Sequence, residues 1–301
     1  MKKHSKIIGL LLIITFISVI SFKISAYYKE SQFKKSLSAI IQKEYAFYTP
    51  ERISDFNVDS LLFYKMISEK LGQPLSRSVD EAYAKHKEDP FKRFYNKNDY
   101  EQGLVFKRNL DSDINQLRGQ KIDTLDAFDY YKKTGDFYLI DGVPNMLTFQ
   151  PWNRIVLKAL YCDISGYDSQ DFSYIKFMER SNGGYVDTHM LLALLFLEKN
   201  NCYNKQDLIK EEGILAKNIT DAENNDTYFS DLYTERIAML YWSGFGDKVK
   251  SSWIEKIANN SIGNSGWGSG EKELSPNSHT TGLAILDILY YIKDKTSRSL
   301  Y

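Results

Sequence analysis

The sequence predicts an all-α protein, with an N-terminal membrane or signal helix followed by helical-hairpin repeats. Three observations carry this reading. A short basic N-terminus runs directly into the uncharged stretch Ile7–Phe22. Further on, strongly apolar helical runs begin near Pro151, Asp187, Asp231 and His279, successive starts lying about 36, 44 and 48 residues apart, the period of stacked helical hairpins. Between them lie more polar, amphipathic stretches at 170–180, 205–217 and 247–259. With 43% hydrophobic and 26% charged residues, the chain has the balance of a folded globular protein.

The first element is an export segment. Lys2, Lys3 and Lys6 precede the run Ile7–Phe22 as the charged region of a secretory signal precedes its apolar region. The run spans only about 24 Å as a helix, short of a bilayer core of about 30 Å. Continuation past a snorkelling Lys23 to Tyr28 makes it a single span, and cleavage after Ile24-Ser25-Ala26 is the alternative. Lys23, inside what should be a clean cleavage region, favours the uncleaved anchor. The lysines hold the N-terminus inside, so the expected location is the cell membrane, single-pass, with the C-terminal body outside; secretion is the alternative. No cysteine follows the run, which argues against a bacterial lipid anchor. Lys29, Lys34 and Lys35 beyond it suit anionic headgroups. Lys plus Arg equals Asp plus Glu at 39 each, and nothing points to nucleic acid.

Residues 29–145 read as an N-terminal helical region. Its clearest helix begins at Asp59, taken as an acidic cap, and stops at Gly72 with Pro74 beyond. Another runs from Asp123 to near Gly135, and the charged stretch Lys85–Asn98, with Pro90, reads as a loop or linker. The two cysteines, Cys162 and Cys202, each end an apolar helical run and read as two buried thiols, although export would permit them to pair.

Residues 146–301 hold the repeats. The run His189–Leu197 has no polar face, as befits a helix surrounded by others, and Leu283–Leu289 is broken only by Asp287. The apolar runs are therefore inner helices and the amphipathic ones outer. Two inner helices are entered alike: Asn182-Gly183-Gly184-Tyr185-Val186-Asp187-Thr188-His189, and Ser265-Gly266-Trp267-Gly268 followed after an insertion by Ser278-His279-Thr280-Thr281-Gly282. Tyr228-Phe229-Ser230-Asp231 is a fainter version. A glycine-aromatic turn, a polar start with His and Thr and then an apolar helix resembles the repeats of the terpenoid cyclase and protein prenyltransferase superfamily. That resemblance covers about half the chain and implies an α/α toroid or partial toroid with a central cavity.

Parallel inner helices would bring their N-terminal residues to one rim. The candidate ligand-binding residues are therefore Asn153, Arg154, Asp187, His189, Asp231, Glu235, Trp267 and His279, with Thr280 beside them and Trp152 and Tyr185 as further walls. Exposed helix N-termini would favour anionic groups there. Capping alone accounts for Asp187, Thr188, Asp231 and Thr280, but histidine is not a preferred cap, so His189 and His279 carry the functional reading. The resemblance also suggests Asp187, His189 and His279 as a zinc set, but the cysteine of that pattern is absent, so neither zinc nor another cofactor is expected and the superfamily's activities are not transferred. Asp187, Asp231, Glu235 and Asp287 are candidate glycosidase carboxylates that no spacing pairs. Phosphate-binding, dinucleotide-binding, serine-elbow and His-Glu-x-x-His motifs are missing from the sequence. The sequence thus predicts a membrane-tethered extracytoplasmic protein binding a peptide, glycan or protein at the inner-helix rim. An exported toroid hydrolase or lyase acting on envelope or environmental polymer is the alternative; a deep pocket with two acids, or His189 and His279, within about 3–4 Å of a common ligand atom or bridging water would favour it, and a shallow groove with these side chains apart would favour binding.

Overall fold

The structure, a computed structural model, describes residues 2–87, 89, 91–98, 151–178, 183–263, 265–271 and 273–293; for 2–19, 151, 154, 170, 177 and 178 it describes the backbone alone. The described residues form helices and no strands. In chain order the α-helices are α1 (Lys2–Glu44), α2 (Pro50–Ile53), α3 (Val58–Leu71), α4 (Ser78–Lys85), α5 (Lys92–Tyr95), α6 (Pro151–Leu160), α7 (Cys162–Ser165), α8 (Ser169–Met178), α9 (Tyr185–Lys199), α10 (Lys205–Asn225), α11 (Asp231–Trp242), α12 (Ser251–Asn259) and α13 (Ser278–Lys293). The helix expected from Asp123 to Gly135 lies outside the described residues.

The expected inner runs are α6, α9, α11 and α13, and they neighbour one another in that order. A fifth apolar helix, α3, packs on α13 and extends the series from the N-terminal region. Asn57, and not Asp59, caps α3: its Oδ1 accepts from Ser60 N at 3.2 Å. Gly72 ends α3 in the left-handed conformation at φ 68°, where its N–H and that of Gln73 satisfy the last carbonyls. Every residue of α9 from Met190 to Leu197 is buried, as is every residue of α13 from Thr280 to Tyr291. The outer helices are buried on one face only. In α10 that face is Leu208, Glu211, Glu212, Leu215, Ala216, Ile219 and Glu223, at helical spacing, laid against α9 and α11.

The glycine-aromatic entries turn out to be locks between layers. Gly183, at φ 80°, lies so close to α10 that a Cβ would come within 2.4 Å of the Ala222 Cβ. Its N–H donates to Asp187 Oδ2 at 2.5 Å and its carbonyl accepts from Arg236 Nε at 2.6 Å. Gly266, at φ 91°, is pressed against Thr281, whose Oγ1 accepts from Trp267 N at 2.9 Å, while the Trp267 indole donates to Ile257 O at 2.7 Å. These bonds fix where each inner helix begins.

The described residues from Lys85 to Asn98 are mostly loop and turn, as expected, but they are anchored to the body. They contain α5, whose buried Arg93 donates to Leu160 O at 2.7 Å and to both oxygens of Asp163 at 2.5 and 2.7 Å, tying α5 to α6 and α7. Cys162 and Cys202 form a disulfide, correcting the reading of two thiols: the turn after α9 folds back so that Cys202 meets the start of α7. One hydrophobic core runs from Leu37 of α1 through α3 to Tyr291 of α13.

α1 is an unbroken helix of 43 residues. The apolar run Ile7–Phe22 falls mostly where only the backbone is described, and among the described residues no helix is long and apolar enough to cross a membrane. Phe22, Ile24, Tyr27 and Tyr28 are exposed, whereas Leu37 and Ile41 are buried where α1 packs along α13.

Asp287 is the one acid inside the apolar stretch of α13, and it is fully buried. Neither carboxyl oxygen has a hydrogen-bond partner among the described residues; burial pushes its pKa well above the usual carboxylate range, and Glu223 adds to the effect. A raised folded-state pKa means that this group favours folding below about pH 4 and disfavours it increasingly as pH climbs toward the folded value. Asp287→Asn should therefore raise the melting temperature at pH 7.5, by about 2–4 °C for each kcal/mol relieved in a chain of this size. It should also reduce the loss of stability between pH 5 and 8, read by thermal melts across that range. An unchanged melting profile would contradict an unpaired buried acid.

Candidate functional site

The first turns of the inner helices surround one cavity of about 260 Å³. Its mouth holds Asn57 and Asp59 at the start of α3, Asn153 of α6, His189 of α9, Glu235 of α11 and His279 of α13. The next turns of the same helices form the walls and floor, with Phe63, Val156, Leu192, Phe196, Met239, Trp242 and Leu283. Five helices supplying early residues to the mouth and later ones to the floor must run in the same direction. The segment around α5 closes one side with Asp89, Phe91 and Phe94.

Capping is done by residues upstream of the expected ones, and this frees the functional groups. Ser230 Oγ accepts from Tyr233 N at 3.1 Å to cap α11, and Asn277 Oδ1 accepts from His279 N and Thr280 N at 2.9 and 3.1 Å to cap α13. Asp231 and His279 are left to bind each other, His279 Nδ1 lying 2.9 Å from Asp231 Oδ1. The same Asp231 oxygen accepts from Thr280 Oγ1 at 2.5 Å, and Asp231 Oδ2 accepts from Tyr185 OH at 3.2 Å. On the other side of the ring, His279 Nε2 stands 3.6 Å from Asp59 Oδ2. His279 is thus an imidazole between two carboxylates.

A second pair stands beside it. His189 Nδ1 lies 2.7 Å from the Tyr185 carbonyl oxygen and 3.3 Å from Glu235 Oε1, which also accepts from Thr188 Oγ1. With Nδ1–H directed at the carbonyl, Nε2 is the nitrogen left for a ligand.

The electrostatics follow from these contacts. Burial alone would lower the pKa of His279, but the bond to Asp231 and the charge of Asp59 outweigh it and carry the net value to about 9. His189 likewise is pulled down by burial and lifted further by Glu235, ending above the ordinary histidine value. Burial raises Asp231, yet the bonds from His279, Thr280 and Tyr185 hold it below the usual range. In Asp59 burial prevails over His279 and the pKa is raised. Two carboxylates on one imidazole are therefore pushed in opposite directions, and Asp231, which receives three hydrogen bonds, holds its charge more readily than Asp59.

Of the expected site residues, Asn153, His189, Glu235 and His279 line the cavity and Asp231 stands directly behind His279. Asp187 and Trp267 do not: Asp187 is fully buried on the Gly183 N–H, and Trp267 is fully buried on Ile257. With Asp187 turned away, the zinc set suggested by the resemblance is not assembled, and the described residues bring together no three His, Cys, Asp or Glu suited to a metal. The Arg154 side chain lies outside the described residues. Asp287, offered as a glycosidase acid, is sealed in the core. Asn57, Asp59, Asp89 and the aromatic floor were not foreseen. The signal for Asp59 was present, an acid in the first turn of an apolar helix as at Asp231, but no glycine-aromatic entry marked α3 as a member of the series. Comparison with protein-family models, curated proteins and solved structures finds no match for this chain.

Because the folded-state pKa of His279 is raised and that of Asp231 lowered, the pair stabilises the fold fully between about pH 4 and 6.5; the contribution is lost as pH rises through about 9 and again in acid as Asp231 is protonated. Asp231→Asn should return the His279 titration, followed by its imidazole NMR signals, toward the ordinary value and destabilise the protein at pH 6 far more than at pH 10. A His279 titrating near 6.5 in the unaltered protein would rule the pairing out.

Proposed function

We propose that the protein is a membrane-tethered, extracytoplasmic enzyme, a hydrolase or lyase working by acid–base catalysis in the inner-helix cavity. The observation that carries this is His279, held between Asp231 and Asp59 at the mouth of a half-open cavity that also holds the Glu235–His189 pair. At neutral pH the imidazolium of His279 gives its proton to the leaving atom. His189, held by Glu235, takes one at Nε2 from an attacking water in hydrolysis, or from carbon in elimination, so the protons balance in either case. A cavity of this size admits one residue of a polymer and not a stretch of chain. The substrate is therefore a terminal unit or a small molecule.

The proposed architecture is a partial α/α toroid, with α6, α9, α11, α13 and α3 inside and α8, α10, α12 and α1 outside. The neighbour order of these helices and their common cavity support it. The proposed setting rests on three features. α1 continues from the basic, apolar N-terminus into the body without a break. The apolar run ends on Phe22, and the basic and aromatic residues Lys23, Tyr27, Tyr28 and Lys29 follow it, as at a membrane interface. The Cys162–Cys202 disulfide suits an oxidising compartment.

Ligand binding without catalysis is the second reading, and one observation favours it: the hydroxyl residues next to the histidines, Thr188 and Thr280, are fully buried and line no part of the cavity, so neither serves as a nucleophile. The full-length protein in neutral-detergent micelles should turn over isolated envelope polymer or a panel of chromogenic glycosides, esters and amides. His279→Asn and Asp231→Asn should each lower that rate by about 100-fold or more, and the wild-type rate should fall as pH rises through about 9. Full activity in His279→Asn would refute the acid role, and no turnover by the unaltered protein on any of these substrates would assign the cavity to binding alone.

A further inference from the structure

The hydrogen-bonding inventory of the cavity mouth reverses the anionic preference that bare helix N-termini suggest. The N–H groups at the starts of α3, α11 and α13 are already taken by Asn57, Asp59, Ser230 and Asn277. Donors remain on the two imidazoles and on the Asn57 and Asn153 amides, and beside them stand carboxylate oxygens to which no described residue donates. Glu235 spends Oε1 on Thr188, and no described residue bonds its Oε2; Asp89 spends Oδ1 on Phe91 N at 2.8 Å, and no described residue bonds its Oδ2. Both residues line the cavity, with Asp59 beside them, and no lysine or arginine is among the described lining residues. Against the two imidazoles stand four carboxylates, counting Asp231 behind His279.

Beneath this mouth the surface is aromatic and otherwise apolar. Phe63 meets the His279 ring edge-on at 5.3 Å and the Trp242 ring at 5.9 Å, and Phe94 meets Phe196 edge-on at 5.4 Å. Ring faces attract cations, and their effect strengthens where water is excluded. Acceptor oxygens above and aromatic rings below together favour a ligand that brings its own donors and positive charge.

We propose that the cavity takes a protonated amine on a compact apolar or aromatic body, the ammonium at Glu235 and Asp89 and the body against Phe63, Phe196 and Trp242. This assignment rests on the cavity being the functional site and adds the substrate class to it: the unit acted upon carries an amine.

Three probes of similar shape and different charge test it on the full-length protein in neutral-detergent micelles: 2-phenylethylamine, 2-phenylethanol and 3-phenylpropanoate, with affinity read by titration calorimetry. The amine should bind about tenfold tighter than the alcohol, the size of one desolvated cation–ring or charge contact, and the carboxylate most weakly. Asp89→Asn, in a connecting segment, should cost the amine about tenfold and leave the alcohol unchanged, and Glu235→Gln should cost the amine about tenfold more than it costs the alcohol. A carboxylate or alcohol that binds as well as the amine overturns the amine assignment and leaves the cavity as the site. Failure of all three to bind also overturns it, and the catalytic reading is then decided separately by the His279→Asn rate.

Discussion

The carboxylate of Asp231 receives hydrogen bonds from both of the helices that flank its own. Tyr185 reaches it from α9, and His279 and Thr280 reach it from α13. One anion thus joins three inner helices at the level of their first turns, where aligned peptide dipoles present their positive ends and favour negative charge. The rest of the mouth depends on this junction. If α13 slid by one turn, about 5.4 Å, His279 would leave both Asp231 and Asp59, and the cavity would lose its boundary between polar rim and apolar floor.

The junction can hold because the turns before the inner helices are fixed independently. The Gly183 turn is fastened by Asp187 and Arg236, and the Gly266–Trp267 turn by Thr281 and Ile257. Both glycines adopt positive φ at points where a side chain would collide with the neighbouring helix or with Thr281. Backbone locks thus set the helix starts, and the side chains one turn later are left for chemistry. Ser230 and Asn277, by capping, relieve Asp231 and His279 of that task.

Charge in the interior is handled unevenly. Arg236 is buried but well supplied, with Gly183 O at 2.6 Å, Asp226 at 2.8 Å and Glu223 at 3.5 Å. Glu223 is raised by burial to about 8 in spite of Arg236, and Asp287 has no partner among the described residues. Both acids therefore favour their neutral forms in the folded state, because a buried carboxylate without hydrogen bonds costs more than a buried carboxylic acid. At the mouth the opposite holds, and Asp231 is kept ionised by three donors. The same residue type is neutral in the core and charged at the rim, according to how many hydrogen bonds each carboxylate receives.

The sequence by itself determined the helical class, the starts of α6, α9, α11 and α13, the alternation with amphipathic α8, α10 and α12, and the selection of His189, Asp231, Glu235 and His279. Those features are local: apolar spacing, turn residues and helix-start chemistry are readable within a few turns of chain. Only the tertiary structure decided that Asp187 and Trp267 serve the turns, that Cys162 meets Cys202, that Asp287 is sealed, and that α3 and the 89–94 segment complete the cavity. Each of those outcomes is a contact between residues distant in sequence, or depends on which way a helix-start side chain turns. The spacing that places Asp187 and Asp231 alike at helix starts says nothing about that direction; the packed neighbours, Gly183 for one and His279 for the other, decide it.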